Sequence, residues 1–211
     1  MKKTLLTIVG TFALAMSSFG QANTQGSIII DPYYGYPNFG KSFFSILETT
    51  TLNYKATGIG PCGLRAEYMI SDKIGVGIDF IYNSNKTSYS DTATVYDSIS
   101  QSYSNYMYSY ERTMQRIRVH ARINFHFDIS NPNLDAYFGV GAGTNNRIRH
   151  YYQNGVEIND DLTSLLSKLT ASPVTIRLCT GLRYYFTPNI GANLELGLGG
   201  PLISAGASFR F

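Results

Sequence analysis

The sequence has no tryptophan, two cysteines and a charged fraction of 15%, well below the usual share. After its first 22 residues it also lacks a run of ~18 apolar residues, the length that a membrane-spanning helix needs. Two cysteines, Cys62 and Cys179, are too few for a metal site. The strand pattern described below puts Cys62 on an outer face and Cys179 on an inner face, so we expect two free thiols at buried positions.

The N-terminus reads "MKKTLLTIVGTFALAMSSFGQA" and has the three parts of a secretory signal peptide. Two lysines precede an apolar stretch over 5–16, and small residues such as Gly20 and Ala22 follow. We therefore expect a cleaved signal peptide at 1–22 and one domain at 23–211. Removing the two lysines lowers the formal charge from +3 to +1, which argues against a nucleic-acid partner.

Tyrosine, phenylalanine and glycine are abundant, with 17, 12 and 20 copies, and they favour twisted strands and tight turns. Eight strand-like segments follow one another, and the short turns "SDK", "SNPN" and "TPN" all fall on one side. Most connections on the other side are longer. Two of them, "PNFGKSFFSILE" and "NDDLTSLLSKLT", have the spacing of short helices.

The stretch "RIRVHARINFHFD" (116–128) alternates polar and apolar residues throughout, as a strand with one apolar face does. When the register of every strand is set from apolar residues alone, all ten arginines fall on the opposite face. Many glycines share that face and leave room for guanidinium groups. A soluble sheet protein would need an apolar interior, whereas a membrane barrel needs an apolar exterior and accepts a polar interior. The sequence thus predicts an all-β, eight-stranded, antiparallel up-and-down transmembrane β-barrel with a polar, arginine-rich lumen.

The C-terminal "ISAGASFRF" ends in alternating apolar residues, with aromatic rings at Phe209 and Phe211. It resembles the assembly signal of outer-membrane barrels. The chain as a whole resembles small eight-stranded outer-membrane barrels, such as the transmembrane domain of outer membrane protein A and outer membrane protein X. The segment "GPCGLRAEYMISDKIGVGIDFIYN" is similar to the porin-family barrel domain common in Bacteroidota. The resemblance implies the bacterial outer membrane as location, its lipids as surroundings and the barrel assembly machinery as a partner during biogenesis.

We expect the inner charges to form a lumen network that is either structural or pore-lining. Its members are Arg65, Glu67, Asp79, Arg116, Arg118, Arg122, Asp128, Asp135, Arg147, Arg149, Arg177, Arg183, Glu195 and Arg210. Because eight strands enclose a space about wide enough for their own side chains, a side-chain-filled lumen is favoured over a narrow anion-preferring pore.

The segment 87–110 is rich in tyrosine and serine and overruns the ~9–11 residues per strand that a membrane requires. It predicts a hairpin beyond the membrane and a structural or surface-interaction (adhesin-like) role with an extracellular surface partner.

A lipid A-modifying enzyme is a further alternative, for which His150 is the only candidate because His120 and His126 face the lumen. His150 has no serine in a local motif, so we predict no catalytic site; we also expect no metal, no cofactor and a monomer.

Overall fold

The computed structural model describes residues 23–38, 54–98, 101–158 and 173–211. The expected signal peptide and both expected short helices lie wholly or almost wholly outside these residues. No described helix has the length and apolarity to cross a membrane. The ten described strands are β1 Ile28–Tyr36, β2 Lys55–Ser71, β3 Ile74–Asp97, β4 Ser102–Phe127, β5 Leu134–Thr144, β6 Asn146–Gln153, β7 Val156–Glu157, β8 Val174–Tyr185, β9 Ile190–Leu198 and β10 Ile203–Arg210.

Eight of these strands form a closed antiparallel ring in the order β1-β2-β3-β4-β5-β8-β9-β10. The ring closes where β10 pairs with β1, with Phe209 opposite Ile30. Closure satisfies the backbone groups of both edge strands, which is what a sheet surrounded by lipid requires. The predicted eight-stranded, all-β barrel is confirmed.

The remaining strands, β6 and β7, extend one wall of the barrel above the ring. β6 continues the path of β5 after Asn145 and pairs with β4, and β7 pairs with β6 as a short hairpin. The residue pattern predicts one strand over 134–152, and the structure corrects this by dividing the stretch at Asn145. The cause of this division is the loss of a neighbour, since the pairing of β5 with β8 ends at Thr144 opposite Val174.

Burial alternates along the ring strands in the sense that the sequence predicts. On β4, Ile123 and Phe125 are 44% and 43% exposed, whereas His120 and Arg122 are 0% and 4% exposed. A soluble protein shows the reverse distribution. The apolar face of this barrel therefore points outward along its strands, and the charged face points inward.

The β3–β4 hairpin rises far beyond the ring. Its strands have 24 and 26 residues and pair without a register shift from Ile74 opposite Phe125 to Asp97 opposite Ser102. Tyr106, Tyr108 and Tyr110 share the parity of the lumen-facing arginines, which predicts that they fill the upper lumen unless a bulge intervenes. For Tyr106 this is wrong, since it is 53% exposed because the hairpin has left the ring at this height.

Candidate functional site

Two tyrosines lie flat against the inside of the barrel wall, which leaves space beside their rings for charged side chains. Tyr33 on β1 lies across Gly63, and Tyr137 on β5 lies across Gly181, each opposite its glycine in the strand register. A Cβ atom at Gly181 would be 2.4 Å from the ring of Tyr137. Only glycine leaves the space for a ring to lie flat against the neighbouring strand.

Each tyrosine links a carboxylate to an arginine. The hydroxyl group of Tyr33 donates a hydrogen bond of 2.7 Å to Asp79, and that of Tyr137 donates one of 2.7 Å to Glu195. The Arg65 guanidinium lies 3.7 Å from the centroid of the Tyr33 ring. Cation–π contact and hydrogen bonding thus hold the buried charges in fixed positions.

The middle of the lumen contains a cluster in which three arginines share two carboxylates. Glu195 forms ion pairs with Arg122 at 2.7 Å, Arg65 at 3.3 Å and Arg177 at 2.5 Å. The other carboxylate, Asp79, lies 3.3 Å from Arg122 and 3.2 Å from Arg177. Guanidinium groups suit this arrangement because each presents several donors in a plane.

A second cluster toward the short-turn end is centred on Arg183, whose guanidinium contacts three carboxylates. The distances are 2.9 Å to Asp31, 2.6 Å to Glu67 and 2.8 Å to Asp135. His126 lies between two of them, 2.9 Å from Glu67 and 2.7 Å from Asp135. The Arg183 guanidinium also lies 4.3 Å from the centroid of the Tyr137 ring, so the two clusters are in contact through Tyr137.

These clusters occupy the interior as a packed core. Arg177, Arg183 and Tyr137 are among the largest side chains that are less than 2% exposed. Side chains from every strand of a narrow barrel meet at its axis, so the interior of this one is filled by its own residues.

The upper lumen differs from the two deep clusters. Arg116 lies directly opposite Arg147 in the register of β4 and β6, and Arg118 and Arg149 follow on the same face. The Nε atom of Arg118 donates to Asn145 at 3.3 Å. Above them, Arg112 lies 5.4 Å from the ring centroid of Tyr151.

Two residues of the expected network lie instead at the short-turn rim. Asp128 pairs with Lys73 at 2.6 Å, and the Lys73 side chain is 45% exposed. Arg210 donates from Nε to the carbonyl oxygen of Pro188 at 2.8 Å and packs 4.2 Å from the ring centroid of Tyr185. Their parity is the predicted one, but both strands are ending at this point, so these residues serve the turns.

Sequence reasoning missed several members of the deep clusters: Asp31, Tyr33, Tyr137 and the pairing role of His126. The available signal was inner-face parity, which Tyr137 shares with Asp135. Asp31 was harder to place because β1 carries apolar residues on both faces. Ile29 is 1% exposed while Ile28 is 46% exposed, so hydrophobicity alone does not set the register of this strand.

Both cysteines are free thiols. Cys179 is 2% exposed, and its sulfur lies 2.9 Å from the Arg122 Nη2 atom. Cys62 is half-buried, not buried as expected, because it lies on the outer face of β2. Among the described residues, no group of three or more histidine, cysteine, aspartate or glutamate side chains could hold a metal ion.

His150, the residue considered for an enzyme, lies on β6 and contacts Glu157 at 2.7 Å. In the described part of the chain, no serine is hydrogen-bonded to it, and a nucleophile must lie within hydrogen-bond reach of its base.

The C-terminal aromatic residues lie at the seam of the ring. Phe209 pairs with Ile30 and Ile190, and the backbone of Phe211 exchanges two hydrogen bonds of 2.9 Å with Ile28. The last strand therefore forms the closing contact of the barrel.

The chain is similar to a known protein family and to several solved structures. The sequence model of the outer membrane protein beta-barrel domain family matches residues 5–201. Similar solved structures include the N-terminal β-barrel domain of Pseudomonas aeruginosa OprF, with 14% identity, coverage of 90% of this chain and 100% of that chain, and a TM-score of 0.44. They also include Ail, the attachment invasion locus protein of Yersinia pestis, with 13% identity, 89% and 99% coverage and a TM-score of 0.42. E. coli outer membrane protein W is also similar, with 13% identity, coverage of 90% of this chain and 100% of that chain, and a TM-score of 0.43. No curated protein matches the chain.

Proposed function

This chain belongs to the outer membrane protein beta-barrel domain family of the bacterial outer membrane, and we propose that it is a surface-interaction (adhesin-like) barrel with a side-chain-filled lumen. The observation that carries the proposal is the β3–β4 hairpin, whose strands are more than twice as long as a membrane requires. Short turns face the periplasm and long loops face outward in barrels of this kind. The hairpin then projects from the cell surface.

The tip of this hairpin has the properties of a binding element. In the described part of the chain, no third strand pairs with 90–96 or 103–108, so these stretches of both edges offer backbone donors and acceptors. Exposed aromatic rings accompany these edges: Tyr96 and Tyr103 are 51% and 75% exposed, with ring centroids 5.0 Å apart. Open strand edges bind partners by strand addition, and tyrosine is enriched where proteins meet.

The experiment shortens the hairpin without touching the ring. Residues 91–108 are replaced by an Asn-Gly turn joining Ser90 to Ser109, which are paired in the register. Full-length and shortened proteins in nanodiscs are incubated with intact cells, and bound surface molecules are compared. We expect a partner that the full-length protein retains and the shortened protein loses. A Tyr96→Ser/Tyr103→Ser variant tests whether the rings contribute. Identical capture by all three proteins would refute the hairpin's role.

The second candidate function is a narrow anion-preferring pore, which the arginines of the upper lumen favour. The deep clusters oppose it, because the groups that would bind a passing anion already contact carboxylates and are less than 5% exposed. Planar bilayers separate the two functions. We expect no steady channels from the pure protein, and steady anion-selective conductance would establish the pore.

The third candidate is a lipid A-modifying enzyme. Lipid A mass spectra of cells with and without the protein test it, and we expect identical spectra.

We further propose that the chain is a monomer whose apolar face contacts outer-membrane lipids, and that the barrel assembly machinery inserts it through the strand ending in Phe209 and Phe211.

A further inference from the structure

The charges inside the barrel are segregated along its axis. Below Ile81, four arginines share the interior with five carboxylates, and each of these residues takes part in an ion pair. Arg65, Arg122 and Arg177 pair with Asp79 and Glu195 in one cluster, and Arg183 pairs with Asp31, Glu67 and Asp135 in the other. From the level of Ile81 upward, the inner face carries four more arginines: Arg118, which is opposite Ile81, and then Arg116, Arg147 and Arg149. Within the described residues, none of these four makes an ion pair.

The four upper arginines are close neighbours. Arg116 and Arg147 are directly opposite each other, and opposite residues in antiparallel strands have Cβ atoms about 4.5–5.5 Å apart. Arg118 lies two positions below Arg116 on β4, and Arg149 lies two positions above Arg147 on β6, so each is about 7 Å from its own neighbour in the opposed pair. Like charges at these distances repel, and the repulsion is stronger beside a low-dielectric wall than in water.

Three of the four also have an unused hydrogen-bond donor, whereas the Nε atom of Arg118 donates to Asn145. In the described part of the protein, the Nε atoms of Arg116, Arg147 and Arg149 are buried and have no hydrogen-bond partner. The side chains themselves are only half-buried, so their outer donors are open to the mouth of the barrel. A buried donor without a partner is costly, and an anion would satisfy the donors and offset the repulsion together.

We propose that these four residues, the upper arginine cluster, form a binding site for an anionic ligand that carries phosphate or sulfate groups. Guanidinium groups bind such oxyanions through paired hydrogen bonds, and two opposed arginines can bind one phosphate or sulfate group from two sides. Since the deep clusters seal the lumen below the site, the ligand enters from the long-loop side and is held there.

The test uses the purified full chain in an uncharged maltoside detergent, which has no phosphate of its own. Calorimetric titrations are run with inositol hexakisphosphate, inorganic phosphate and neutral myo-inositol. We expect inositol hexakisphosphate to bind, inorganic phosphate to bind more weakly and myo-inositol not to bind. Binding should weaken as salt increases, because salt screens the half-exposed charges. Equal binding of both phosphates would indicate a site for a single free anion, and tighter binding of inositol hexakisphosphate a site for a polyphosphorylated molecule.

Variants assign the binding to the cluster. Arg116→Gln/Arg147→Gln should weaken inositol hexakisphosphate binding by roughly tenfold to a hundredfold, because it removes two cations and their charge-assisted hydrogen bonds while Arg118 and Arg149 remain. Arg116→Lys/Arg147→Lys keeps the charge and should fall between that variant and the wild type. The matched control Lys73→Gln/Lys86→Gln removes two cations elsewhere and should bind as the wild type does.

A thermal measurement covers the case in which a variant folds poorly. Without anion, Arg116→Gln/Arg147→Gln should unfold at a higher temperature than the wild type, because the repulsion is relieved. Inositol hexakisphosphate should raise the unfolding temperature of the wild type more than that of the variant. Absence of binding by the wild type, or equal binding by the wild type and the glutamine variant, would overturn the proposal. Neither result would bear on the hairpin, which these variants leave intact.

Discussion

At the scale of single residues, the interior of this barrel depends on shared carboxylates. Glu195 is 1% exposed and contacts three arginines, so its charge compensates a group of cations that no water reaches. A charge in such a place is destabilising without its partners and is retained only because the geometry is complete. The tyrosines complete it, since the Tyr137 hydroxyl group donates to the same carboxylate.

Glu195→Gln should lower the free energy of unfolding by about 3–5 kcal/mol, because it leaves three buried guanidinium groups with one fewer negative charge. Urea unfolding of protein in lipid vesicles measures the change. Glu157→Gln is the matched control, since Glu157 contacts His150 with a side chain that is 47% exposed. An exposed pair contributes about 0–1 kcal/mol. Equal effects of the two substitutions would contradict a charge-compensated interior.

Gly181→Val should displace Tyr137 from the wall and cost about 1–3 kcal/mol as an overpacked interior does. The new side chain would occupy the space of the Tyr137 ring, which lies 2.4 Å from a Cβ at this position. Thermal unfolding in detergent measures the loss. Ala136→Val creates the same side chain on the outer face of the neighbouring strand, by adding two carbons instead of three, and should leave the unfolding temperature nearly unchanged. A harmless Gly181→Val would show that the ring has other room.

At the scale of elements, β4 combines two roles in one strand. Its lower half alternates lipid-facing apolar residues with lumen charges, and its upper half continues as one arm of the hairpin. The faces should respond differently to substitution. Ile123→Arg puts a charge on the outer face and should reduce insertion or stability by about 2–4 kcal/mol if it lies at the midplane.

Arg122→Leu should impair insertion less than Ile123→Arg, because it leaves the outer face unchanged. It would instead leave Asp79 and Glu195 with one fewer cation, since Arg122 lies 3.3 Å and 2.7 Å from them. The yield of folded protein after refolding into vesicles measures insertion. Similar yields from the two variants would mean that the inner and outer faces have been exchanged.

Period-two alternation was enough to predict the two faces of the ring strands, and together with the short turns on one side and the apolar outer face it predicted a closed ring with arginines inside. It could not predict where β5 gives way to β6, because Asn145 marks a change of neighbour that leaves the alternation intact. It also could not divide the arginines into paired and unpaired groups. Asp79 and Arg122 are separated by 43 residues, and Asp31 and Arg183 by 152, so their pairing depends on strand register around the whole ring.

At the scale of the whole molecule, the barrel has three levels with different chemistry. Ion-pair clusters seal the lower interior, the upper arginine cluster lies above them without carboxylates among the described residues, and the tyrosine-bearing hairpin extends beyond both. Closure of the ring makes this separation possible, because residues from all eight strands meet inside it. A sealed interior beneath an open mouth is the arrangement that the proposed surface-interaction role requires.

A cysteine scan along residues 117–125 of β4 tests this arrangement most directly. Single cysteines are introduced in a background with Cys62→Ala and Cys179→Ala, labelled after unfolding with a small fluorophore and refolded into vesicles. Quenchers in the lipid and in the water then report what each position contacts. We predict that the lipid quencher reaches Ile117, Val119, Ala121, Ile123 and Phe125, and that neither quencher reaches positions 120, 122 and 124. Quenching of those inner positions from the water would show an open channel, and loss of the alternation would contradict the assignment of the two faces.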